Sequence, residues 1–148
     1  MSILHSSKVL ITGATGGLGG HLASYFINNN HPLIITSRSN KKLINLKESL
    51  VFNDVDIQYY KCDMLKIEEI MQLSKFCINN GINVLINNAG ITCPGKNLSE
   101  YNIEEINKII GVNLTAPIIL SKLLSPYLSD IININSMVGL EHKKYRTL

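Results

Sequence analysis

The stretch Thr12-Gly-Ala-Thr-Gly-Gly-Leu-Gly19 decides the fold of this chain. It follows a β-branched apolar run at residues 8–12 and precedes a segment whose apolar residues recur at helical spacing as far as Asn28. A glycine-rich turn between a strand and a helix lets backbone N–H groups approach a diphosphate, which the helix dipole also attracts. The glycines fit both T-G-x-x-x-G-x-G and G-x-x-G-x-x-G, and such turns also serve close helix–strand packing. In this position the turn favours nucleotide binding.

Strand-like and helix-like segments alternate along the rest of the chain. Further short apolar runs occur at residues 33–36, 57–61, 82–86 and 131–134, with amphipathic segments between them. Parallel neighbours need a crossover connection, and nearly continuous apolar strands suit a sheet covered on both faces. We therefore predict one α/β domain over residues 1–148. Its core is a doubly wound, Rossmann-type parallel sheet of five strands in the order 3-2-1-4-5, with helices on both faces.

Composition and charge narrow the class of protein. The chain has 148 residues, 45% of them hydrophobic, and a net charge of +3, which is too small to argue for nucleic acid. No apolar run approaches the roughly 18 residues of a membrane span, and the N-terminus does not resemble a signal peptide. Cys62, Cys77 and Cys93 form no C-x-x-C pair, so we expect buried or idle thiols and no metal site. We expect a cytoplasmic protein without a membrane or nucleic-acid partner.

The end of the second predicted strand distinguishes the two nicotinamide cofactors. NAD binding favours a carboxylate there, whereas the 2′-phosphate of NADP favours a cation. The segment reads Thr36-Ser-Arg-Ser-Asn40, and no Asp or Glu lies between it and the first strand. Arg38 offers a fork of donors to phosphate, and Ser37 and Ser39 add hydroxyls. The alternative is that Arg38 is a solvated loop residue. We favour NADP(H) over NAD(H).

Several short motifs follow one another at the predicted strand ends. They are Thr12-Gly-x-x-x-Gly-x-Gly19, Cys62-Asp63, Asn87-Asn-Ala-Gly90, Asn113 and Asn133-Ile-Asn-Ser-Met-Val-Gly139. Together and in this order they resemble the short-chain dehydrogenase/reductase family, and the Asn-Asn-Ala-Gly motif favours its shorter-chain branch. The resemblance covers the whole chain, which corresponds to roughly the first three-fifths of a typical member. We therefore expect a truncated form of the family's fold.

The resemblance implies which residues hold the cofactor. Arg38 falls where NADP-binding members hold the 2′-phosphate, and Asp63 with Met64 falls where members contact the adenine ring. For Asp63 a second interpretation stays open, a helix N-cap before Ile67. The implied NADP(H)-binding residues, from the pyrophosphate turn to the segment under the ribose, are Gly13, Thr15, Gly17, Leu18, Gly19, Arg38, Asp63, Met64, Asn88, Ala89 and Gly90.

Two residues match catalytic positions of the family. Asn113 resembles the asparagine whose main-chain carbonyl holds a water of the proton relay. Pro117 has no N–H and crowds that carbonyl, and Gly111 weakens the helix, so we expect the helix to open there. The alternative is that Pro117 only starts a new helix. Ser136 resembles the catalytic serine that hydrogen-bonds the substrate carbonyl, although Asn135 stands where many members carry a second serine.

The resemblance also implies a Tyr-x-x-x-Lys pair, in which the lysine lowers the pKa of a tyrosine that acts as general acid or base. Tyr145 follows Ser136 by nine residues, closer than the family's tyrosine usually does, so we expect a loop residue in a basic tail. The first hypothesis is an NADP(H)-dependent oxidoreductase of a carbonyl or alcohol substrate, catalytically incomplete as this chain. A non-catalytic nucleotide-binding or interaction module and a gene remnant are the alternatives. Because the fifth strand would form a sheet edge, we also expect self-association into a homo-oligomer.

Overall fold

The computed structural model describes residues 7–50, 54–92 and 97–136. Five parallel strands form one sheet in the order β3-β2-β1-β4-β5, which confirms the predicted topology. The strands are β1 (Val9–Thr12), β2 (Leu33–Ser37), β3 (Ile57–Lys61), β4 (Val84–Asn87) and β5 (Asp130–Asn133). Each observed strand overlaps the run predicted for it, with ends displaced by at most two residues.

Helices connect the successive strands. They are α1 (Gly17–Asn28), α2 (Asn40–Ser49), α3 (Ile67–Asn79), α4 (Ile103–Ile110) and α5 (Ala116–Leu124). α4 begins at a capping box, since Asn102 Oδ1 accepts from the Glu105 backbone N at 2.8 Å and the Glu105 carboxylate accepts from the Asn102 backbone N at 3.0 Å. This reciprocal pair satisfies two helix-end donors and fixes where the helix starts.

The alternation of side chains along the strands divides the core into two layers. On β1, Val9 and Ile11 pack with α1 and α2, whereas Leu10 points to the opposite face and packs with α3 and α5. On β2, Ile34 shares the face of Leu10. All strand positions of β1, β2 and β4 are buried, as expected for a parallel sheet covered on both faces.

The helix that carries Asn113 widens where an opening was expected. A π-helical turn, Gly111–Thr115, joins α4 to α5 without a break, and the Ala116 N–H bonds to the Gly111 carbonyl five residues back. Pro117 therefore does not start a separate helix. Single π turns inside α-helices are frequent at functional sites because they change the direction of the groups at one turn.

The continuous helical segment Ile103–Tyr127, 25 residues long, could cross a membrane by length and composition alone. Core helices pass the same test, and one face of this segment packs on the sheet. The buried residues of that face are Ile109, Val112, Ala116, Leu120 and Leu124. The segment therefore carries no argument for a membrane.

β5 forms the edge of the described sheet, as the sequence predicted. All four of its residues are exposed, in contrast to the buried strands β1, β2 and β4. Ile131, Ile132 and Ile134 keep 40%, 36% and 37% of their surface accessible. The edge therefore presents unpaired backbone groups together with apolar side chains.

Candidate functional site

The carboxyl ends of β1 to β4 surround a cavity of about 690 Å³. Parallel α/β sheets place their ligands at this edge because the loops that follow the strands converge there. All of the residues that the resemblance implies for NADP(H) lie on its wall, namely Gly13, Thr15, Gly17, Leu18, Gly19, Arg38, Asp63, Met64, Asn88, Ala89 and Gly90. The fold thus brings together residues that are far apart in sequence. Their contact with a cofactor stays a prediction.

The glycine turn is shaped by close contacts of the backbone. Gly13 has φ +63°, and a Cβ added there would lie 2.7 Å from Cα of Ala89. A Cβ on Gly19 would lie 2.4 Å from the Gly13 carbonyl oxygen, whereas one on Gly17 would meet nothing within 4 Å. Two glycines therefore permit the close packing of the turn, and the third leaves the cavity wall open beside the first turn of α1.

That open wall suits a diphosphate. α1 begins after Gly16, which has no side chain to cap the helix, and its first turn reads Gly-Leu-Gly-Gly. The N–H groups of a first helical turn have no partner within the helix and carry the positive end of its dipole. The residues present therefore fit the diphosphate of a dinucleotide, which would accept hydrogen bonds from these groups.

Thr12 fixes the turn against the loop that follows β4. Its Oγ1 accepts from the backbone N–H groups of Asn88 at 3.0 Å and Ala89 at 2.9 Å, and donates to the Ile86 carbonyl at 3.3 Å. The Asn88 amide donates in return to the carbonyls of Thr12 at 2.9 Å and Gly13 at 3.2 Å. These bonds hold the segment predicted to pass under the ribose at a fixed distance from the glycine turn.

The end of the cavity that follows β2 is basic. Arg38 is exposed on the wall, and Lys42, which the sequence analysis missed, lies on the same wall. Ser39 caps α2 by accepting from the Lys42 backbone N at 3.4 Å. The capping residue Ser39 could have indicated that Lys42 lies near the cavity, because the first turn of a helix that follows a strand lies close to the end of that strand. No Asp or Glu precedes Glu48 in the chain, so this end of the cavity suits a phosphate.

The loop after β3 forms the opposite wall. The N-cap of α3 is Lys66, so the alternative that Asp63 caps this helix is wrong. Asp63 Oδ1 instead accepts from the Leu65 backbone N at 3.1 Å, which closes a local turn. Met64 is buried beside it on the cavity wall. Asp63 and Met64 therefore lie together on the cavity wall, and the contact with adenine that the resemblance implies for them stays a prediction.

Two of the three cysteines are buried free thiols, as expected, and Cys93 lies outside the described residues. Burial raises the pKa of Cys77 to about 12. Burial, with smaller contributions from the carboxylates of Glu69 and Asp63, raises the pKa of Cys62 to about 12. Both thiols are therefore protonated at neutral pH.

A second cavity, of about 590 Å³, lies between α5 and β5, and Ala89 lies on the walls of both cavities. Asn113 lines this second cavity together with Asn135. Ser136 is exposed and follows Asn135 directly beyond β5. Tyr145 lies outside the described residues. Asn113 thus lines the second cavity, whereas Ser136 follows a lining residue and is not itself on the wall of either cavity.

The side chain of Asn113 is hydrogen-bonded to the loop after β4. Its Oδ1 accepts from the Ile91 backbone N and its Nδ2 donates to the Ile91 carbonyl, both at 2.9 Å. One N–H and one lone pair of the amide are therefore committed to this loop, while the main-chain carbonyl of Asn113 belongs to the π turn. This is the group to which the resemblance assigns a role.

A partly buried polar cluster on the wall of the second cavity was not predicted from the sequence. The Asn87 amide donates to Asn133 Oδ1 at 2.9 Å and to Ser121 Oγ at 3.1 Å, and Asn87 is buried. Asn87 and Asn133 are register partners at the ends of β4 and β5. Asparagines at the ends of two neighbouring parallel strands could have indicated a hydrogen bond between their side chains. The cluster joins β4, β5 and α5 on the wall that Asn113 also lines.

Comparison with known proteins identifies the family. A family model described as short chain dehydrogenase matches residues 7–147. An NADP-dependent 3-hydroxy acid dehydrogenase of Salmonella typhi is 32% identical over 136 residues, which cover 88% of this chain. The chain belongs to the short-chain dehydrogenase family, an oxidoreductase family.

Solved structures agree with this assignment. A metagenomic short-chain oxidoreductase in complex with NADP superposes with a TM-score of 0.89 at 25% identity, covering 96% of this chain and 68% of its own. A short-chain dehydrogenase from Sphingobium yanoikuyae in complex with NADPH gives 0.84 at 28% identity, covering 90% and 55%. The chain spans 54% of the length of the Salmonella relative.

Proposed function

We propose that this protein binds NADP(H) in the cavity at the carboxyl ends of β1 to β4. We also propose that, in the whole protein, it serves the reduction of a carbonyl or the oxidation of an alcohol in a small-molecule substrate. One observation carries the proposal. The residues that the family uses for the diphosphate, the 2′-phosphate, the adenine and the ribose all lie on the wall of a single cavity.

The preference for NADP(H) rests on charge at the adenosine end. Arg38 and Lys42 lie on the cavity wall there, next to the start of α2. The chain has no carboxylate before Glu48 that could accept from the ribose hydroxyls at the end of β2. A guanidinium presents paired donors that match a phosphate, so the free energy of binding gains from the 2′-phosphate. Relatives described with NADP or NADPH support the same choice.

Chemistry at the second cavity would use this chain's own polar groups. When bound, the nicotinamide supplies the hydride-transfer capacity. Ser136, beyond β5, would donate a hydrogen bond to the substrate oxygen and so stabilise charge that develops on it. Asn113 would hold a water through its main chain, while its side-chain amide bonds to Ile91. The π turn at Gly111–Thr115 sets the direction of that part of the main chain.

Titration of the 148-residue chain with NADPH and NADH, followed by nucleotide fluorescence, tests the cofactor assignment. Arg38→Ala should raise the Kd for NADPH about tenfold, the size of one lost charge-assisted contact, and leave the Kd for NADH almost unchanged. Lys41→Ala is the matched control. Lys41 is an exposed cation three residues after Arg38, in the first turn of α2, and it does not line the cavity. Equal affinities for NADPH and NADH, or no saturable binding, would contradict the proposal.

Nucleotide binding without turnover is the second candidate function. The observation that favours it is that all residues implied for NADP(H) line one cavity, whereas Ser136, which the resemblance implies to be catalytic, lines neither of the two cavities described above. Consumption of NADPH with a panel of aldehydes and ketones separates the two. Saturable binding with no consumption favours the binding module, and turnover favours the enzyme.

Two further properties are proposals. Self-association of the isolated chain through the exposed β5 edge is supported by the apolar side chains and unpaired backbone groups there. A cytoplasmic location is supported by the free thiols of Cys62 and Cys77, which suit a reducing compartment. Fractionation of cells that express the tagged protein tests the location.

A further inference from the structure

The start of α3 lacks an ordinary cap. Lys66 occupies the N-cap position and, in the part of the chain that the structure describes, makes no capping hydrogen bond from its side chain. Lysine has no side-chain acceptor and so cannot satisfy the N–H groups of a first helical turn. The loop between β3 and α3 therefore needs another group to fix its path.

Glu69, in the first turn of α3, supplies the hydrogen-bond acceptor that fixes the loop. Its Oε2 accepts from the backbone N–H of Asp63 at 2.8 Å, and its Oε1 pairs with Lys66 Nζ at 3.0 Å. The Glu69 side chain keeps only 26% of its surface accessible, against 61% for Lys66. One carboxylate thus spans from the helix back to Asp63, near the beginning of the loop, and is held at both oxygens.

The bond from Glu69 falls on the segment that lines the nucleotide cavity. Cys62, Asp63 and Met64 are consecutive residues of its wall. The Cys62 N–H is tied to the Ser37 carbonyl at 3.0 Å, which anchors the strand end of the segment. Glu69 anchors the next peptide group, between Cys62 and Asp63, from the helix side.

We propose that Glu69 is a positioning residue for nucleotide binding, and that it holds the Cys62–Asp63–Met64 wall in the shape that receives the adenine ring. The proposal rests on the NADP(H) assignment and goes beyond it, because Glu69 lies outside the cavity and acts through the Asp63 backbone. The two hydrogen bonds hold the pKa of Glu69 below its usual value, so the side chain is charged at neutral pH. A charged acceptor makes the stronger bond to a backbone N–H.

The test compares four variants by their Kd for NADPH and for 2′,5′-ADP, which carries only the adenosine half. Glu69→Ala should raise both Kd values about fivefold, and Glu69→Asp, which keeps the charge but is one methylene too short to reach Asp63, should do the same. Glu69→Gln keeps an acceptor oxygen and should restore most of the affinity. Glu68→Ala is the matched control. Glu68 is exposed on the same helical turn as Glu69, and its substitution removes the same charge.

A second readout does not depend on the cofactor. Peptide-resolved alkylation should accelerate at Cys62 in Glu69→Ala and Glu69→Asp, while Cys77, buried within α3, keeps its rate. Equal acceleration at both thiols would mean general destabilisation and overturn the proposal. Unchanged Kd values together with unchanged Cys62 labelling in Glu69→Asp would also overturn the proposal. If Glu69→Ala does not fold, the Glu69→Asp variant alone decides the case. If the wild-type chain binds no NADPH, the proposed function fails, and the Cys62-to-Cys77 labelling ratio alone decides the role of Glu69.

Discussion

Asn113 and Ile91 are joined by a matched pair of hydrogen bonds, both of 2.9 Å, between the side-chain amide of one and the main chain of the other. Ile91 lies on the wall of the nucleotide cavity, and Asn113 lies on the wall of the second cavity beside α5. The pair therefore connects the loop after β4 to the π turn between α4 and α5. We therefore expect a change in one cavity wall to affect the other through this contact.

Asn113→Ala should lower the free energy of unfolding by about 1–2 kcal/mol, because both bonds are lost at a partly solvated site. It should also weaken NADPH binding, since the loop that follows β4 loses its hold on the helix. Urea denaturation and NADPH titration measure the two effects. Asn107→Ala, an exposed asparagine on α4, is the control and should change neither. Equal stability of the Asn113 and Asn107 variants would refute the coupling.

The glycine turn offers two variants, one expected to lower stability and the other expected to weaken NADPH binding at unchanged stability. Gly19→Ala places a methyl group 2.4 Å from the Gly13 carbonyl and 2.8 Å from Cα of Ala14, so it should cost about 1–3 kcal/mol of stability. Gly17→Ala meets no atom within 4 Å and should fold with unchanged stability. Because Gly17 lies on the cavity wall, its new methyl group should still weaken NADPH binding. Thermal melting and nucleotide titration distinguish the two variants. Normal NADPH binding by Gly17→Ala would place the diphosphate elsewhere.

The buried thiols predict a loss of stability in alkali. The pKa of Cys77 rises from an ordinary value of 9.0 to about 12 in the folded chain. Between these two pH values the unfolded chain has released a proton that the folded chain keeps, so the free energy of unfolding falls as pH rises from about 9 to about 12. Below pH 9 this contribution is fully present. Cys77→Ala should show a shallower decline in urea-denaturation series across this range. A slope identical to that of wild type would show that Cys77 titrates normally.

The edge of the sheet predicts an interface that can be blocked. Ile132 is 36% exposed on β5, and a lysine there places a charge on the edge where a second chain would pair. Ile132→Lys should convert an associating chain to a monomer in sedimentation at micromolar concentration. Ile118, 59% exposed on α5, provides the comparison. If Ile118→Lys produces the monomer and Ile132→Lys does not, association runs through the helix. A wild-type chain that is already monomeric would contradict the self-association proposal.

Much of the fold could be predicted from local pattern. The observed strand order is one that is typical of doubly wound parallel sheets, and the widening of the helix near Asn113 agrees with the missing N–H of Pro117. Asn102 and Glu105 are three residues apart, so their capping box could be predicted from spacing alone. These features depend on residues that are close in sequence or on the general rules of α/β sheets.

Contacts across the sheet could not be predicted in the same way. The bond from Asn113 spans 22 residues and depends on where the loop after β4 ends. The interpretation of Asp63 as a helix cap was wrong because the N-cap of α3 lies three residues later, at Lys66, and the Glu69 carboxylate reaches back to the Asp63 backbone N. Aspartate is preferred over lysine at the N-cap of a helix. The position of the N-cap is nevertheless set by where the chain turns away from β3. Lys42 was missed because its place on the cavity wall depends on the direction of α2.

The distribution of charge along the chain has a kinetic consequence. No Asp or Glu precedes Glu48 in the chain, whereas five Lys and Arg residues do, and this half of the sheet carries the glycine turn and Arg38. A polyanionic nucleotide therefore encounters a positive potential before it makes any contact, and electrostatic steering should accelerate its arrival. Because the screening length is about 10 Å at 0.1 M salt, we expect the association rate of NADPH to fall with ionic strength, while its dissociation rate changes far less.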